Sequence, residues 1–213
     1  YRFGLTGTLD GTQTHQLVLE GLFGAVEKVV TTKQLIDKNT LAKLKIKCVI
    51  LKHQEIREKM TYAEELEYLV TNEKRTDFVV NLLRHLNGNT LCLFQLVEKH
   101  GKILNDKMKG SENVYFVYGG TDTSEREKIR GLVEKHTKST TIASYGTFST
   151  GINIRNIHNI VLASPSKSKI RVLQSIGRGL RTSSVKDSIL VYDIADDISY
   201  NERRNFTLNH FTE

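Results

Sequence analysis

From Asn89 onward, short apolar runs alternate with longer stretches in which apolar residues recur every three or four positions. Five runs have the length of strands that are buried on both faces: 90–94, 113–118, 140–144, 157–164 and 188–193. Three stretches have helical periodicity: 97–108, 123–136 and 168–180. This alternation, with short connections, predicts an α/β fold in which helices cover a mostly parallel sheet.

Before Asn89 the pattern is looser. It indicates a strand and turn at 4–8, a short helix at 15–22, a strand at 45–51 and a helical region at 61–87. We interpret residues 1–88 as the end of a preceding domain plus a connector, and residues 89–213 as the second unit. The chain opens on Tyr1 without an initiator methionine or a signal peptide, so we expect it to be part of a longer protein.

Composition narrows the class of protein. Of 213 residues, 38% are hydrophobic and 26% are charged, which suits a packed core. The cysteines, Cys48 and Cys92, each lie in an apolar run, so we expect two buried, reduced thiols in strands. The seven histidines are scattered, and no metal site is expected. No apolar run approaches the length of a membrane helix.

The positive charge is concentrated in two segments. The formal net charge is +7; residues 28–59 hold nine basic and three acidic residues, and residues 165–186 hold six basic residues and no acidic ones. Such segments suit a polyanion, either nucleic acid or nucleotide phosphates. On charge alone, a solvated basic face remains an equal alternative.

The run from Gln174 to Arg181 combines an amide with two guanidinium groups. On a helix, Gln174, Arg178 and Arg181 fall at about 0°, 40° and −20°, on one narrow face. Gly177 and Gly179 remove side chains beside the arginines and allow close approach of another group. Two planar, permanently charged donors suit a polyphosphate. The alternative is a solvated basic end of a helix.

Small hydroxyl residues and glycines follow the predicted strand at 140–144. Residues 144–153 contain Ser144, Thr147, Ser149 and Thr150 with two glycines. Such a loop exposes backbone amides and hydroxyls, as a phosphate or sugar-phosphate surface does, although many such loops are only turns.

Two phosphate-binding features do not occur in this sequence. There is no Gly-x-x-x-x-Gly-Lys-Ser/Thr motif and no Asp-Glu dipeptide. The chain therefore has no P-loop of its own and no acidic pair that holds magnesium beside one. Its candidate groups bind and polarise phosphate without holding the metal.

Taken in order, these segments resemble the second half of a superfamily 2 helicase motor. Residues 4–9 resemble motif III, and residues 90–95 with 97–101 resemble motif IV. Residues 144–153 resemble motif V, and residues 174–181 match the motif VI pattern Gln-x-x-Gly-Arg-x-x-Arg. The resemblance implies a RecA-like fold of the P-loop NTPase type and covers about four fifths of the chain.

The resemblance also implies roles for individual residues. Arginine fingers on the γ-phosphate of ATP would be Arg178 and Arg181. Nucleotide contacts would come from Gln174, which positions that phosphate, and from Gly151 and Asn153 at the ribose. Contacts to the nucleic-acid backbone would come from Gln95, Tyr118, Gly119, Gly120 and Ser144. Thr6 and Thr8 would couple the state of the bound nucleotide to the strength of DNA binding. Motif V usually has Asp where this chain has Asn153.

The implied activity is that of an ATP-dependent DNA helicase that remodels branched DNA. ATP with Mg²⁺ would be held mainly by a preceding RecA-like domain, so we expect this fragment alone to be inactive. The expected partners are that domain and single-stranded, forked or branched DNA, in the cytoplasm and not at a membrane. Alternatives are a restriction-enzyme translocase, an RNA helicase, or a non-catalytic nucleic-acid-binding module of the same fold. Gln174, Arg178 and Arg181 together argue against the last.

Overall fold

Six parallel strands form one sheet in the order β1-β6-β5-β2-β4-β3. The structure is a computed structural model that describes residues 2–5, 13–53, 60–151, 154–166, 168–182 and 186–198. The strands are β1 (Lys43–Lys52), β2 (Asn89–Phe94), β3 (Val114–Val117), β4 (Ser139–Ser144), β5 (Asn159–Leu162) and β6 (Ser188–Asp197). The helices are α1 (Gln13–Phe23), α2 (Thr32–Asp37), α3 (Tyr62–Thr71), α4 (Glu73–His85), α5 (Lys102–Lys107), α6 (Thr123–Lys135), α7 (Tyr145–Gly151) and α8 (Lys169–Gly179).

The sheet is covered on both faces, and β2 shows this most clearly because all six of its residues are buried. Leu91 and Leu93 point into one core, which includes residues of α6, α7 and β5. Cys92 and Phe94 point into the other, which includes residues of α4 and α5. Side chains alternate along a strand, so a strand between two cores has no polar face. The predicted α/β architecture with a mostly parallel sheet is confirmed.

Strand β6 is longer than the sequence predicts. The prediction ended at Asp193, where acidic residues begin, but the strand continues to Asp197. The carboxylate of Asp196 is fully buried and accepts hydrogen bonds from Nε and Nη2 of Arg75 at 2.8 and 2.9 Å. Its Oδ1 also lies 2.8 Å from Nε2 of His53. A buried charge needs such partners, and these lie far away in the sequence.

The same cluster sets the charge state of Asp196. Burial by itself would raise the pKa of this carboxyl. The hydrogen bonds from His53 and Arg75, together with the Arg75 charge, outweigh burial and hold the pKa below its usual value. Asp196 is therefore ionised at neutral pH. It joins α4, β6 and the residue that follows β1 in one buried contact.

Two of the predicted helices are interrupted. The helical region predicted at 61–87 is two helices, because Asn72 is extended and its side chain accepts the N–H of Arg75 at 2.9 Å. The helix predicted at 97–108 begins as a π-helical turn, Val97–Gly101, before α5. In that turn the Gly101 N–H donates to the Leu96 carbonyl at 2.9 Å.

The prediction of two buried thiols is wrong for Cys48. Cys92 is buried in the centre of the sheet, but Cys48 is exposed because it lies on β1, at the edge. Its neighbours Ile46 and Ile50 are 55% and 51% exposed. Apolar residues on an edge strand have neighbours on one side only, and the sequence pattern of β1 does not reveal that position.

The described residues among the first 30 contribute little to this core. Leu17, Val18, Leu22 and Phe23 of α1 are exposed. Gly4 and Leu5 are not in a strand, and residues 6–8 of the strand predicted there lie outside the described residues. Strand β1 and helices α3 and α4 pack with the later elements, and the division proposed at residue 88 stays a prediction. Across the described ranges, no helix is long and apolar enough to cross a bilayer.

Candidate functional site

The carboxyl ends of β2, β4 and β3 lie side by side. Phe94 of β2 pairs with Ser144 of β4, and Val117 of β3 pairs with Ala143. Gln95 and Tyr118 come directly after β2 and β3. The structure therefore brings together the residues predicted to contact nucleic acid: Gln95, Tyr118, Gly119, Gly120 and Ser144. We call this set the carboxyl edge.

The segment after β4 is a helix and not the open loop that its composition indicated. Tyr145 and Phe148 are buried and anchor α7 from within. Ser144 precedes the helix, and its Oγ lies 2.8 Å from Oγ1 of Thr147 and accepts the Thr147 N–H at 3.4 Å. Helix formation thus occupies amides that an open loop would expose. Ser144 itself remains partly exposed.

The turn after β3 is held tightly. Oγ1 of Thr121 accepts the N–H of Tyr118 at 3.1 Å, and the Thr121 N–H donates to the Tyr118 carbonyl at 3.0 Å. Nη2 of Arg126, from α6, donates to the Gly119 carbonyl at 3.1 Å. Gly119 and Gly120 are exposed. Their backbone is therefore fixed and also accessible, as a backbone–phosphate contact requires.

The carboxyl end of β2 is supported by buried residues that the sequence did not single out for this role: Ser164, His100 and Tyr145. Oγ of Ser164 accepts the N–H of Gln95 at 3.2 Å and lies 2.8 Å from Nδ1 of His100. The hydroxyl of Tyr145 donates to the Ser164 carbonyl at 3.0 Å. Burial and then the Arg75 charge lower the pKa of His100 to about 3, so its ring is neutral. His100 is one of seven scattered histidines, and only the fold distinguishes it.

The arginine helix, α8, follows β5 and begins with Ser168 as its N-cap. It ends at Gly179, where an added Cβ would lie 2.5 Å from Cδ1 of Ile189 and 2.8 Å from Cδ1 of Ile160. These isoleucines are near the amino ends of β6 and β5. Only glycine allows the helix to pack so closely. The arginines therefore lie at the opposite end of the sheet from the carboxyl edge.

Arg178 and Arg181 lie near one another at this end of α8. Arg181 is two residues beyond the helix, so it is not on the regular helical face that the sequence predicted. Burial, and then the nearby charge of Arg181, lower the pKa of Arg178. Gln174 and Arg181 are exposed, and Arg178 is partly exposed. Two adjacent cations near solvent favour an anion between them.

The position of this end is fixed by two further contacts. Nζ of Lys186, a buried residue, donates to the carbonyls of Gly179 at 2.5 Å and Arg155 at 3.0 Å. Burial lowers the pKa of Lys186 to about 8, so it is mostly charged at neutral pH. A cation suits the carbonyl end of a helix. Arg181 also forms an antiparallel bridge with Leu41, which ties it to the segment before β1.

Several predicted residues cannot be placed in this geometry. Thr6, Thr8 and Asn153 lie outside the described residues. Gly151 is the last residue of α7. Among the described side chains, no three His, Cys, Asp or Glu residues are grouped as metal ligands would be. The end of α8 that carries Arg178 and Arg181 therefore suits a phosphate, but the described residues include no cluster that could hold Mg²⁺.

Comparison with known proteins defines the class. Residues 73–183, just over half of the chain, match the family described as "Helicase conserved C-terminal domain". The chain belongs to this family, and its fold is the RecA-like fold of helicase C-terminal domains.

One relative that the sequence resembles is UvsW. The chain is 36% identical over 204 residues to the ATP-dependent DNA helicase uvsW of Enterobacteria phage T4, covering 92% of this chain and 40% of that protein. The crystal structure of T4 UvsW superposes with a TM-score of 0.68 at 34% identity, covering 89% of this chain and 40% of that one. The chain thus spans about two fifths of these relatives.

A more distant structure shares the fold alone. The ATP-dependent Type ISP restriction-modification enzyme LlaBIII, bound to DNA, superposes with a TM-score of 0.59 at 13% identity. That match covers 91% of this chain and 15% of the other.

Proposed function

We propose that this chain is the C-terminal motor half of an ATP-dependent DNA helicase or translocase that unwinds or remodels branched DNA in recombination and replication-fork repair. The observation that carries the proposal is that Arg178 and Arg181 lie at the same end of α8, where Arg181 is exposed and Arg178 is partly exposed. A preceding RecA-like domain holds ATP and Mg²⁺, and the two domains close on the nucleotide. The exposed apolar residues of α1 support the presence of such a neighbour.

In this proposal the arginines act on phosphate charge. Bound Mg²⁺ and a P-loop lysine, both supplied by the preceding domain, would neutralise part of the charge on the transferring group. Arg178 and Arg181 donate hydrogen bonds to the γ-phosphoryl oxygens as charge develops there, which is worth about 10³–10⁵ in rate for analogous arginines. Gln174 orients the same phosphate, and Gly151 and Asn153 lie against the ribose.

The carboxyl edge binds one strand of DNA. Gln95, Ser144 and the Tyr118–Gly120 backbone contact successive phosphates without reading bases. Nucleotide state reaches this edge through α7, which runs from Ser144 to the segment that Lys186 ties to α8. Thr6 and Thr8 couple the preceding domain to the same cycle. The protein acts in the cytoplasm, which is that of the host cell if the gene is carried by a phage.

The second candidate is a restriction-enzyme translocase, since LlaBIII shares this fold. An RNA helicase or a non-catalytic binding module would also have the sheet and its carboxyl edge. The restriction-enzyme translocase and the RNA helicase would differ from the proposal in the sequence that precedes residue 1. A nuclease or accessory domain there favours the translocase. The non-catalytic module differs in the arginine pair, because a module without turnover does not require two adjacent guanidinium groups at a nucleotide.

The first expected outcome is that this chain alone has no ATPase activity. It has neither a P-loop lysine nor an Asp-Glu pair, so it cannot hold ATP with Mg²⁺ in a reactive geometry. Phosphate release by the purified chain, with Arg181→Ala as a matched variant, checks this. Turnover that disappears in Arg181→Ala would show that the whole catalytic site is in this chain and would contradict a site divided between two domains.

The second expected outcome is weak, strongly salt-dependent binding of single-stranded or forked DNA by this chain. If Lys and Arg side chains neutralise about three phosphates of a single strand, a rise of about fourfold in salt lowers the affinity by about 20-fold, because counterions are released on binding. Titration of a labelled oligonucleotide at several salt concentrations measures the slope. An affinity that is independent of salt, or a strong preference for base sequence, would contradict the proposed phosphate surface.

A further inference from the structure

Ser164 connects three elements beneath the carboxyl edge. It follows β5, is only 2% exposed, and precedes the chain's single proline, Pro165. Its Oγ accepts the Gln95 N–H and lies within hydrogen-bond distance of Nδ1 of His100, and its carbonyl accepts the Tyr145 hydroxyl. Each partner lies in a different element: Gln95 in the turn after β2, His100 in the π-helical turn and Tyr145 at the start of α7.

The π-helical turn is what brings His100 to this place. An extra residue in the turn rotates the side chains that follow, and such turns are rare and frequent at functional sites. Gly101 in the same turn lies against Phe94, where an added Cβ would be 2.5 Å from the ring. The turn is therefore packed directly on the end of β2, next to Gln95.

The His100 ring has a second unusual feature. Nδ1 faces Ser164, but Nε2 is buried and has no hydrogen-bond partner in the described part of the chain. A buried polar atom without a partner costs stability and is uncommon in native structures. Exceptions of this kind are expected at functional sites, and this one lies beneath a candidate binding surface.

We propose that Ser164, together with His100 and Tyr145, is a positioning unit that holds Gln95 and Ser144 in one fixed arrangement, so that the carboxyl edge meets a nucleic-acid strand as a preformed surface. The inference rests on the proposed function of that edge. Gln95 is held through its own N–H, and Ser144 is held through its neighbour Tyr145. A preformed surface binds more tightly because less conformational freedom is lost on binding.

The test uses this chain and the variants Gln95→Ala, Ser164→Ala and the double change, titrated with labelled oligothymidylate at constant low salt. Each single change weakens binding by about fivefold, the value of one ordinary hydrogen bond. The double variant is no weaker than the weaker single variant, because Ser164 acts through Gln95. Independent roles would give the product, about 25-fold.

Two further variants distinguish a loss of fold stability from a loss of positioning as the cause of weaker DNA binding. Val79→Ala opens a cavity in the core on α4 and changes none of the residues that contact Ser164, so it lowers the melting temperature without changing DNA affinity. Tyr145→Phe keeps the ring and removes only the hydroxyl that Ser164 accepts. It weakens binding, and adding Ser144→Ala weakens it no further.

The outcomes also distinguish this inference from the proposed function. If Gln95→Ala binds as tightly as the wild type, the nucleic-acid contact itself is wrong. If Gln95→Ala weakens binding but Ser164→Ala does not, or if their effects multiply, the contact stands and the positioning unit is overturned. If Val79→Ala weakens binding as much as Ser164→Ala, the effect is one of stability and the inference is also overturned.

Discussion

Replacing Arg181 by lysine in the intact enzyme lowers kcat by at least about tenfold, while the affinities for ATP and DNA change much less. Lysine keeps the charge but loses the planar pair of donors that matches a phosphoryl group. An arginine finger acts mainly on charge that develops in the transition state, so its loss appears in kcat and not in ground-state binding. Steady-state ATPase activity at saturating DNA measures this.

The matched control is Arg171→Lys, the same change on the first turn of α8, where the side chain is exposed and remote from the Arg178–Arg181 pair. It leaves kcat near the wild-type value. If instead α8 is only a solvated basic helix, Arg181→Lys and Arg178→Lys also leave kcat unchanged and slightly weaken DNA binding at low salt. That result would remove the central claim about this chain.

Replacing Arg75 by methionine lowers the free energy of unfolding of this chain by about 3–5 kcal/mol. The change leaves the buried Asp196 carboxylate without its bidentate partner, and the side chains of both residues are fully buried. Burying a charge without its partner costs far more than breaking an exposed pair. Urea unfolding followed by circular dichroism gives the difference.

The control is the exposed ion pair between Lys99 and Glu67, whose side chains are 52% and 57% exposed. Lys99→Met changes the free energy of unfolding by at most about 1 kcal/mol, because water already solvates both charges. Equal small losses for Arg75→Met and Lys99→Met would mean that Asp196 is satisfied by its other contacts, and that Arg75 is not needed to bury it.

The sheet could be predicted from the sequence because its central strands are buried on both faces. A run such as Leu91–Phe94 has no polar face, and only a parallel sheet between two layers of helices accommodates several such runs. The order of the motifs then indicated the family. Cys48 was misjudged because the sequence gives no direct sign of which apolar strand lies at the edge.

The candidate sites were predicted less completely. The glycines and hydroxyls after Ser144 suggested a loop, whereas two buried aromatic residues make the segment a helix. The roles of Ser164 and His100 depend on hydrogen bonds between residues 64 positions apart, and no local pattern marks them. Arg178 and Arg181 were recognisable because their spacing is local. The sequence did not reveal that these arginines lie near the amino ends of the strands, because that position depends on how Gly179 packs against the sheet.

Strand β1 has a consequence for how the chain folds. Lys43 pairs with Ser188, so β1 meets its partner strand only at a sequence separation of 145 residues. During synthesis, β1 emerges before its partner β6 and remains unpaired until β6 has left the ribosome. Pairing across such a separation is slow because a long loop must close first. We expect β2 to β5 to assemble before β1 joins, and the four lysines of β1 to discourage association with other chains meanwhile.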